Sequence, residues 1–447
     1  MTLFKRRFLA LLFFVIFFLS IPPLILVTSG VFYNITKKSF EKTGLLVVSS
    51  IPEGATVNFN NEPPKRGIDM FIPWETGEII LTPERVTYLF PGVYTLKIEK
   101  ENFLPFERTI EIQSGKTTFV EDILLLPSAP PVQIVEASFL ALSPDGTTFV
   151  TIDTTGTLFI IDSETDITLY SATGIKIPEK IHFLEDTHVL LRYMKGSILI
   201  DITSQNQIAL ASLNADSEFH IDSKNPDIFY WENNNSLNSY RTKIIEAPLS
   251  TLRSDFSSTS FHVYDNEVWW IFNSNLIKGS EKINKPSNLI LNKVVGFSKN
   301  FVFVKTAKST LYALHTGSLV WFPIEGDSGN DVNELLHEEG STIYFRGDFA
   351  IGSIDTNTLE SSLINRFGEQ TVSFDTISLL QDKKIYIITT DSSVKILDVF
   401  SSEQILSDIY NADSVISTAY NEKDKTLLIV SREDEKSLLL EYRINTE

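Results

Sequence analysis

A short apolar strand that runs into a polar turn recurs along most of this 447-residue chain. The copies begin near residues 157, 197, 236, 274, 309, 349, 393 and 437, so neighbouring copies lie about 35 to 44 residues apart. Strand repeats with this spacing are typical of four-stranded sheets repeated around an axis. The pattern predicts eight units of this kind, because eight copies fit the length of the region.

The first unit divides into four short strands, and the last unit is one strand short. The four strands cover residues 138–142, 148–152, 158–161 and 167–170, with a Pro144-Asp145-Gly146 turn between the first two. The last copy ends near residue 444 without a fourth strand, whereas residues 132–135 supply an unused strand at the other end. Pairing of the two ends would protect the sheet edges. Seven units, or two separate β domains, are the alternatives.

Two features of this region resemble WD-repeat-like β-propellers. They are the turn Ser143-Pro144-Asp145-Gly146 and the aspartates that end strands at Asp162, Asp355 and Asp398. The Trp-Asp dipeptide and the Gly-His pair of that family are absent, so the prediction depends on period and strand count. The resemblance implies a β-propeller over residues 132–447, after a stiff linker at 128–131.

The amino terminus contains the longest apolar segment. No Asp, Glu, Lys, Arg or His occurs between Arg7 and Lys37, and residues 8–33 are predicted to form a transmembrane helix. Lys5, Arg6 and Arg7 precede it, which predicts a cytoplasmic stub at 1–7 and an extracytoplasmic chain from a charged stalk at 34–43 onward. A cleaved signal peptide is the alternative, although the apolar run is longer than such peptides need.

Residues 44–127 are predicted to form a small antiparallel β-sandwich, because β-favouring strands flank turns at Pro52-Glu53-Gly54 and Pro91-Gly92. This segment resembles the PEGA family, whose Pro-Glu-Gly-Ala signature stands at residues 52–55. Thr82-Pro83 and the strand entry at residues 89–96 also match that family. The resemblance implies an extracytoplasmic module without an established catalytic role.

Two departures from the PEGA pattern fall in turns. Asn60-Asn61 stands where the family often has Asp-Gly, and Glu101-Asn102-Phe103 replaces the usual Gly-Tyr. Asparagine tolerates positive φ, so the first turn is expected to survive.

Between the landmarks lies an insertion whose apolar tip includes Phe71 and Trp74. These two side chains are candidates for contact with the membrane interface, and packing on the protein is the alternative.

Composition excludes several classes of function. The chain has 57 acidic and 38 basic residues, which gives a net charge of −19 and disfavours nucleic acid as a partner. With no cysteine, it has no disulfide, thiolate zinc site or cysteine nucleophile. The six histidines are scattered, and no serine-hydrolase, phosphate-binding or dinucleotide-binding motif occurs. We therefore predict no catalytic residues, no metal and no cofactor.

One further ligand candidate is Trp231, which precedes a turn rich in asparagine and could expose its ring. Packing between sheets is the alternative for this residue. Taken together, the sequence predicts an all-β, single-pass membrane protein of the cell envelope that binds a protein or a polysaccharide through its propeller. The alternative is a propeller-type hydrolase or lyase that acts on envelope glycans or peptides.

Overall fold

The computed structural model describes the chain outside a set of short gaps. The described residues are 3–34, 37–60, 79–143, 145–184, 187–222, 224–225, 227–233, 236–242, 250–253, 260–326, 332–368, 370–380, 383–398, 405–421, 423–433 and 436–444. The chain separates into two compact units. One comprises Met1–Pro130, Asp398–Ile405 and Arg443–Glu447, and the other comprises Pro131–Leu397 and Leu406–Tyr442.

The first unit begins with the apolar helix α1 (Leu3–Thr28). Its segment Leu11–Thr28 is long and apolar enough to cross a membrane, a criterion that a signal sequence also meets. The helix ends before residue 33 because Gly30 adopts a left-handed conformation (φ 71°) and its N–H bonds to the Val27 carbonyl. The residues expected to finish the helix and to form a stalk instead include the hairpin β1 (Val31–Asn34) and β2 (Ser39–Lys42).

Two small sheets follow and enclose one apolar core. One sheet has the order β6-β3-β9 and the other has the order β5-β4-β7-β8. The strands are β3 (Gly44–Ile51), β4 (Thr56–Phe59), β5 (Ile80–Leu81), β6 (Glu84–Leu89), β7 (Gly92–Glu99), β8 (Phe106–Ile112) and β9 (Thr117–Leu124). The prediction of a purely antiparallel sandwich is wrong in one pair, since β3 and β9 run parallel. The chain crosses between the sheets before β9, so no hairpin sets the direction of that pair.

Hydrogen bonds join the two segments that carry the PEGA resemblance. The Thr82 hydroxyl lies 2.5 Å from the Ser50 hydroxyl and accepts the Ala55 N–H at 3.0 Å. The Thr82 carbonyl accepts the Gly54 N–H. Asn60 and Asn102 both have positive φ, which is the property expected where other sequences have glycine. Phe71 and Trp74 lie outside the described residues.

The described part of the second unit contains eight four-stranded antiparallel sheets. Sheets I to IV are β11 (Phe139–Leu142), β12 (Thr148–Ile152), β13 (Leu158–Asp162), β14 (Thr168–Ala172); β15 (Lys180–Leu184), β16 (His188–Arg192), β17 (Ser197–Asp201), β18 (Asn206–Leu210); β19 (Phe219–Ile221), β20 (Ile228–Asn233), β21 (Ser236–Arg241), β22 (Ser250–Arg253); and β23 (Phe261–Tyr264), β24 (Glu267–Phe272), β25 (Asn275–Lys278), β26 (Glu281–Lys282). In each of these four sheets, the apolar strand that recurs in the sequence is the third strand.

Sheets V to VIII continue the series, and the last sheet combines both ends of the unit. They are β27 (Leu291–Phe297), β28 (Phe301–Thr306), β29 (Leu311–His315), β30 (Trp321–Pro323); β31 (Glu334–Glu339), β32 (Thr342–Arg346), β33 (Ala350–Asp355), β34 (Glu360–Arg366); β35 (Thr371–Leu380), β36 (Lys383–Thr390), β37 (Ser393–Asp398), β38 (Ile405–Asn411); and β39 (Ser414–Asn421), β40 (Thr426–Glu433), β41 (Lys436–Arg443), β10 (Val132–Ala137). The strand expected at 132–135 does pair with β41.

The first strands of neighbouring sheets lie side by side and point in the same direction. In sheets III and IV, the Glu218 carboxylate before β19 accepts the N–H of Phe261, the first residue of β23. At the opposite end, the buried Asp222 carboxylate accepts the N–H groups of Asp265 and Asn266. First strands of several other neighbours also touch, including β11 with β39 across the closure. Apolar side chains of adjacent sheets fill the space between them.

The aspartates that end third strands close the hairpin to the fourth strand. Asp162 Oδ1 accepts the N–H groups of Glu164 and Thr165 at 3.0 and 2.9 Å, and Asp201 and Asp355 do the same for residues two and three positions later. In sheet V a histidine replaces the aspartate in this role, and His315 Nδ1 accepts the Ser318 N–H. The side chain of Asp398 lies outside the described residues. These turns explain the repeated aspartate without any ligand.

We expect Asp162→Ala to lower the free energy of unfolding by about 1 kcal/mol, because two backbone N–H groups lose their acceptor. Asp162→Asn keeps an oxygen at the same place and should lose much less. Denaturant unfolding followed by tryptophan fluorescence measures both, with the exposed Asp413→Ala as control. Equal losses for Asp162→Ala and Asp413→Ala would contradict this role.

Candidate functional site

Each sheet has two ends with different connections. The links from the second to the third strand, and from the fourth strand to the next sheet, lie at what we call the loop end. The links from first to second and from third to fourth strand lie at what we call the turn end. Because neighbouring sheets are aligned, the loop ends of different sheets lie on one face of the unit.

Basic side chains hold the loop end rigid in three sheets. Each lies at or near the end of a second strand and donates to backbone carbonyls in the segment before the next sheet or at the start of that sheet's first strand. Arg192 donates to the carbonyls of Asn214, Ala215 and Ser217. Lys305 donates to Val332, and Arg346 donates to Thr371 and Val372. Loops tied in this way form a preorganised surface.

Arg192 is the most buried of these basic residues, with 3% of its surface exposed. Its Nη1 lies 3.1 Å from His182 Nε2, and its guanidinium carbon lies 5.0 Å from the centre of the Phe219 ring. His182 also packs on Phe219, with ring centres 4.6 Å apart. Burial, followed by the charges of Arg192 and Lys180, lowers the pKa of His182 to about 4, so this histidine is neutral at pH 7.

A second group of rings joins the first strands of sheets III, IV and V. His220 and His262 lie 4.2 Å apart between ring centres, and His262 lies 6.0 Å from Phe297. Phe297 stacks on Tyr264 at 5.2 Å. Burial, with the charges of His220 and Lys293 as smaller causes, lowers the pKa of His262 well below its usual value. His220 and His262 therefore contribute to the contacts between sheets.

Two carboxylates lie beside these rings near the loop end. Glu218 Oε1 is 3.4 Å from His220 Nε2 and accepts the Phe261 N–H. Burial, and then the negative charge of Glu218, raises the pKa of Glu232. Because Glu218 is bonded to the neighbouring strand, its carboxylate has a structural partner. Within the described ranges, no three His, Asp or Glu residues are grouped as a metal site would require.

Large apolar side chains are exposed at the loop end. Met194, Phe272 and Phe349 lie in or beside links between second and third strands, and Ile177 and Ile290 lie in links between sheets. The turn end exposes Ile167, Leu319 and Val320 in hairpins that precede outer strands, and Phe322 is exposed in the outer strand that follows Val320. Exposed aromatic and aliphatic groups on a rigid surface are typical of a protein-binding face.

Trp231 does not have the exposed ring that the sequence suggested. It is fully buried between sheets II and III, where it packs on Phe229, which also packs on Tyr240. The alternative of packing between sheets therefore describes this residue, because β20 is covered on both faces.

The sequence reasoning also missed Arg192, whose signal is a lone arginine at the end of a largely apolar strand.

Comparisons with known proteins give structural likeness only. No family model matches the chain, and no curated protein matches it. Among solved structures, the computationally designed Ika8 protein has a TM-score of 0.49 at 14% identity and covers 69% of this chain and 97% of its own. Dihydro-heme d1 dehydrogenase NirN has a TM-score of 0.48 at 10% identity, over 70% of this chain and 75% of its own.

The WD40 repeats of RRP9 have a TM-score of 0.43 at 9% identity and cover 71% of this chain and 99% of that structure. At these values the likenesses carry no information about ligand or activity. The chain is mostly β, and the eight four-stranded antiparallel sheets in the described part of its second unit are consistent with a β-propeller.

Proposed function

We propose that this chain is a membrane-anchored, non-enzymatic binding protein of the cell envelope. In this proposal an eight-bladed β-propeller binds a partner protein at its loop end. The observation that carries it is the set of exposed apolar side chains at that end. The backbone beside them accepts hydrogen bonds from Arg192, Lys305 and Arg346. Rigid loops lose little conformational entropy on binding, which favours affinity.

The anchor in this proposal is α1, with its amino terminus in the cytoplasm. Its length and apolar surface support a membrane span, and Lys5, Arg6 and Arg7 support the orientation. The remainder of the chain, including the PEGA-like sandwich, is then extracytoplasmic. A polysaccharide is a weaker candidate than a protein because the exposed loop-end groups are largely aliphatic, whereas sugars favour polar groups and flat aromatic rings.

Cross-linking in native membranes tests the loop end directly. We expect proteins captured by the wild-type chain to be lost from the triple variant Met194→Asp, Phe272→Asp, Phe349→Asp, because charges replace the apolar contacts. The matched control is Ile167→Asp, Leu319→Asp, Val320→Asp at the turn end, which should retain capture. Quantitative mass spectrometry measures both, after circular dichroism has shown that both variants are folded.

Retention of every captured protein by the loop-end variant would overturn the proposal, and loss from the turn-end control alone would move the site to the other face. The enzyme alternative draws on Glu232, a half-buried carboxylate near the loop end of β20, whose pKa is raised by burial and then by the charge of Glu218. Turnover of an envelope glycan or peptide that disappears in Glu232→Gln, with partner capture unchanged, would favour that alternative.

A further inference from the structure

The hairpin β1–β2 directly follows the apolar helix and has two unlike faces. Phe32 is buried and packs on Tyr88, with ring centres 5.1 Å apart, so one face rests on the sandwich. On the other face, Tyr33 and Phe40 are paired across the strands and their rings are 5.3 Å apart. Both are exposed, Phe40 to 64%. An exposed aromatic pair on a hairpin is costly in water unless another surface covers it.

The helix end restricts where this pair can be. Gly30 follows the helix closely, and its carbonyl accepts both the N–H and the hydroxyl of Thr43 at 2.9 Å, which ties the helix end to the start of β3. Tyr33 is five residues beyond Thr28, so their Cα atoms are at most about 18 Å apart. A headgroup layer roughly 5–8 Å thick borders the hydrocarbon on each side of a bilayer. The pair is therefore within reach of that layer.

The charges around the pair suit a membrane surface, although the chain as a whole is strongly acidic. Residues 31–43 contain Lys37, Lys38 and Lys42 but only one acidic residue, Glu41. Glu41 bonds to Asn34 at 2.9 Å and to Lys37 at 3.1 Å. These bonds lower the pKa of Glu41 and offset its charge locally. Exposed lysines beside aromatic rings are typical of segments that lie at the lipid headgroups.

We propose that the β1–β2 hairpin lies at the membrane–water interface on the extracytoplasmic side of the anchor, with Tyr33 and Phe40 inserted among the lipid headgroups. This inference rests on the membrane anchor of the proposed function. Insertion of the pair would fix how the sandwich is oriented on the bilayer, because its opposite face packs on the sandwich through Phe32. The occupant of the aromatic face is therefore lipid rather than a second protein.

The absence of cysteine allows a direct test with single nitroxide labels on the full chain. Three variants are reconstituted in vesicles of phosphatidylcholine and phosphatidylglycerol: Phe40→Cys in the hairpin, Val15→Cys in α1 and Phe119→Cys on β9. Phe119 is the matched control because it is a phenylalanine of the same unit with 63% exposure. Relaxation by oxygen, which enters lipid, is compared with relaxation by a water-soluble nickel complex.

We expect the oxygen-to-nickel ratio to be highest at position 15, intermediate at 40 and several-fold lower at 119. If position 15 lies in hydrocarbon but position 40 resembles 119, the hairpin inference is overturned and the anchor stands. If position 15 is open to nickel, the anchor itself fails, and the hairpin inference fails with it. Insertion at both 40 and 119 would also overturn the inference, because contact would then not be specific to the hairpin.

Discussion

Replacement of Arg192 by methionine is expected to lower the free energy of unfolding of the C-terminal unit by about 3–5 kcal/mol. The arginine is nearly fully buried and donates to three loop carbonyls, which would remain in place without a donor. Methionine keeps much of the apolar length, so the loss reports the hydrogen bonds rather than a cavity. Denaturant unfolding followed by tryptophan fluorescence measures it, since four of the five tryptophans lie in this unit.

The matched control is Arg241→Met on β21. Arg241 is 44% exposed in its side chain and lies 3.6 Å from Asp227, an ion pair that should contribute less than about 1 kcal/mol. Arg192→Lys should recover part of the loss, because a lysine keeps the charge but not the planar set of donors. Similar small losses for both methionine variants would show that Arg192 does not hold the loop.

Acidification from pH 6.5 to about 4 should destabilise the C-terminal unit by about 3 kcal/mol through His182 alone. The folded protein keeps this histidine neutral down to pH about 4, whereas the unfolded chain takes up a proton near pH 6.5. The unfolded state therefore binds more protons throughout this interval, and stability falls as the pH falls. His262, whose pKa is also lowered, adds a loss in the same direction.

The basic groups that face these histidines agree with this sign. Arg192 and Lys180 disfavour a proton on His182, and Lys293 disfavours one on His262. Glu232 contributes a pH dependence of the opposite sign. Burial raises its pKa, so at this carboxyl the folded state binds more protons than the unfolded state. The aspartates with lowered pKa, such as Asp162, lose their contribution below about pH 4, outside the interval.

The measurement is the free energy of unfolding at pH 7.5, 6.5, 5.5 and 4.5. His182→Gln should flatten the dependence on pH over this interval, because glutamine does not titrate. An identical dependence in the wild type and in His182→Gln would refute the assignment.

Much of the fold could be predicted because its elements are local. Each predicted repeat element coincides with a third strand, and the strand at 132–135 pairs with the last one, as its unused edge required. The predictions were less accurate where distant segments decide the outcome. The parallel direction of β9 follows from crossovers between two sheets, and the burial of Trp231 follows from a neighbouring sheet that the local pattern does not include.

The candidate site was the least predictable part. His220 and His262 are 42 residues apart in the chain, yet one repeat period brings their rings together. Arg192 resembles any other basic residue at the end of a strand until the structure shows that the carbonyls of Asn214, Ala215 and Ser217 accept its hydrogen bonds. Exposed apolar residues such as Met194 and Phe349 are ordinary singly, and they indicate a surface only when they share one end of aligned sheets.

The sequence by itself determined the apolar helix, the strand period and the closing strand, because hydrophobic pattern and turn chemistry act over a few neighbouring residues. The tertiary structure alone decided which side chains are buried between sheets, which loops are bonded by basic side chains and which aromatic and histidine rings meet. Those outcomes depend on desolvation and on hydrogen bonds between residues tens of positions apart, and no local pattern records them.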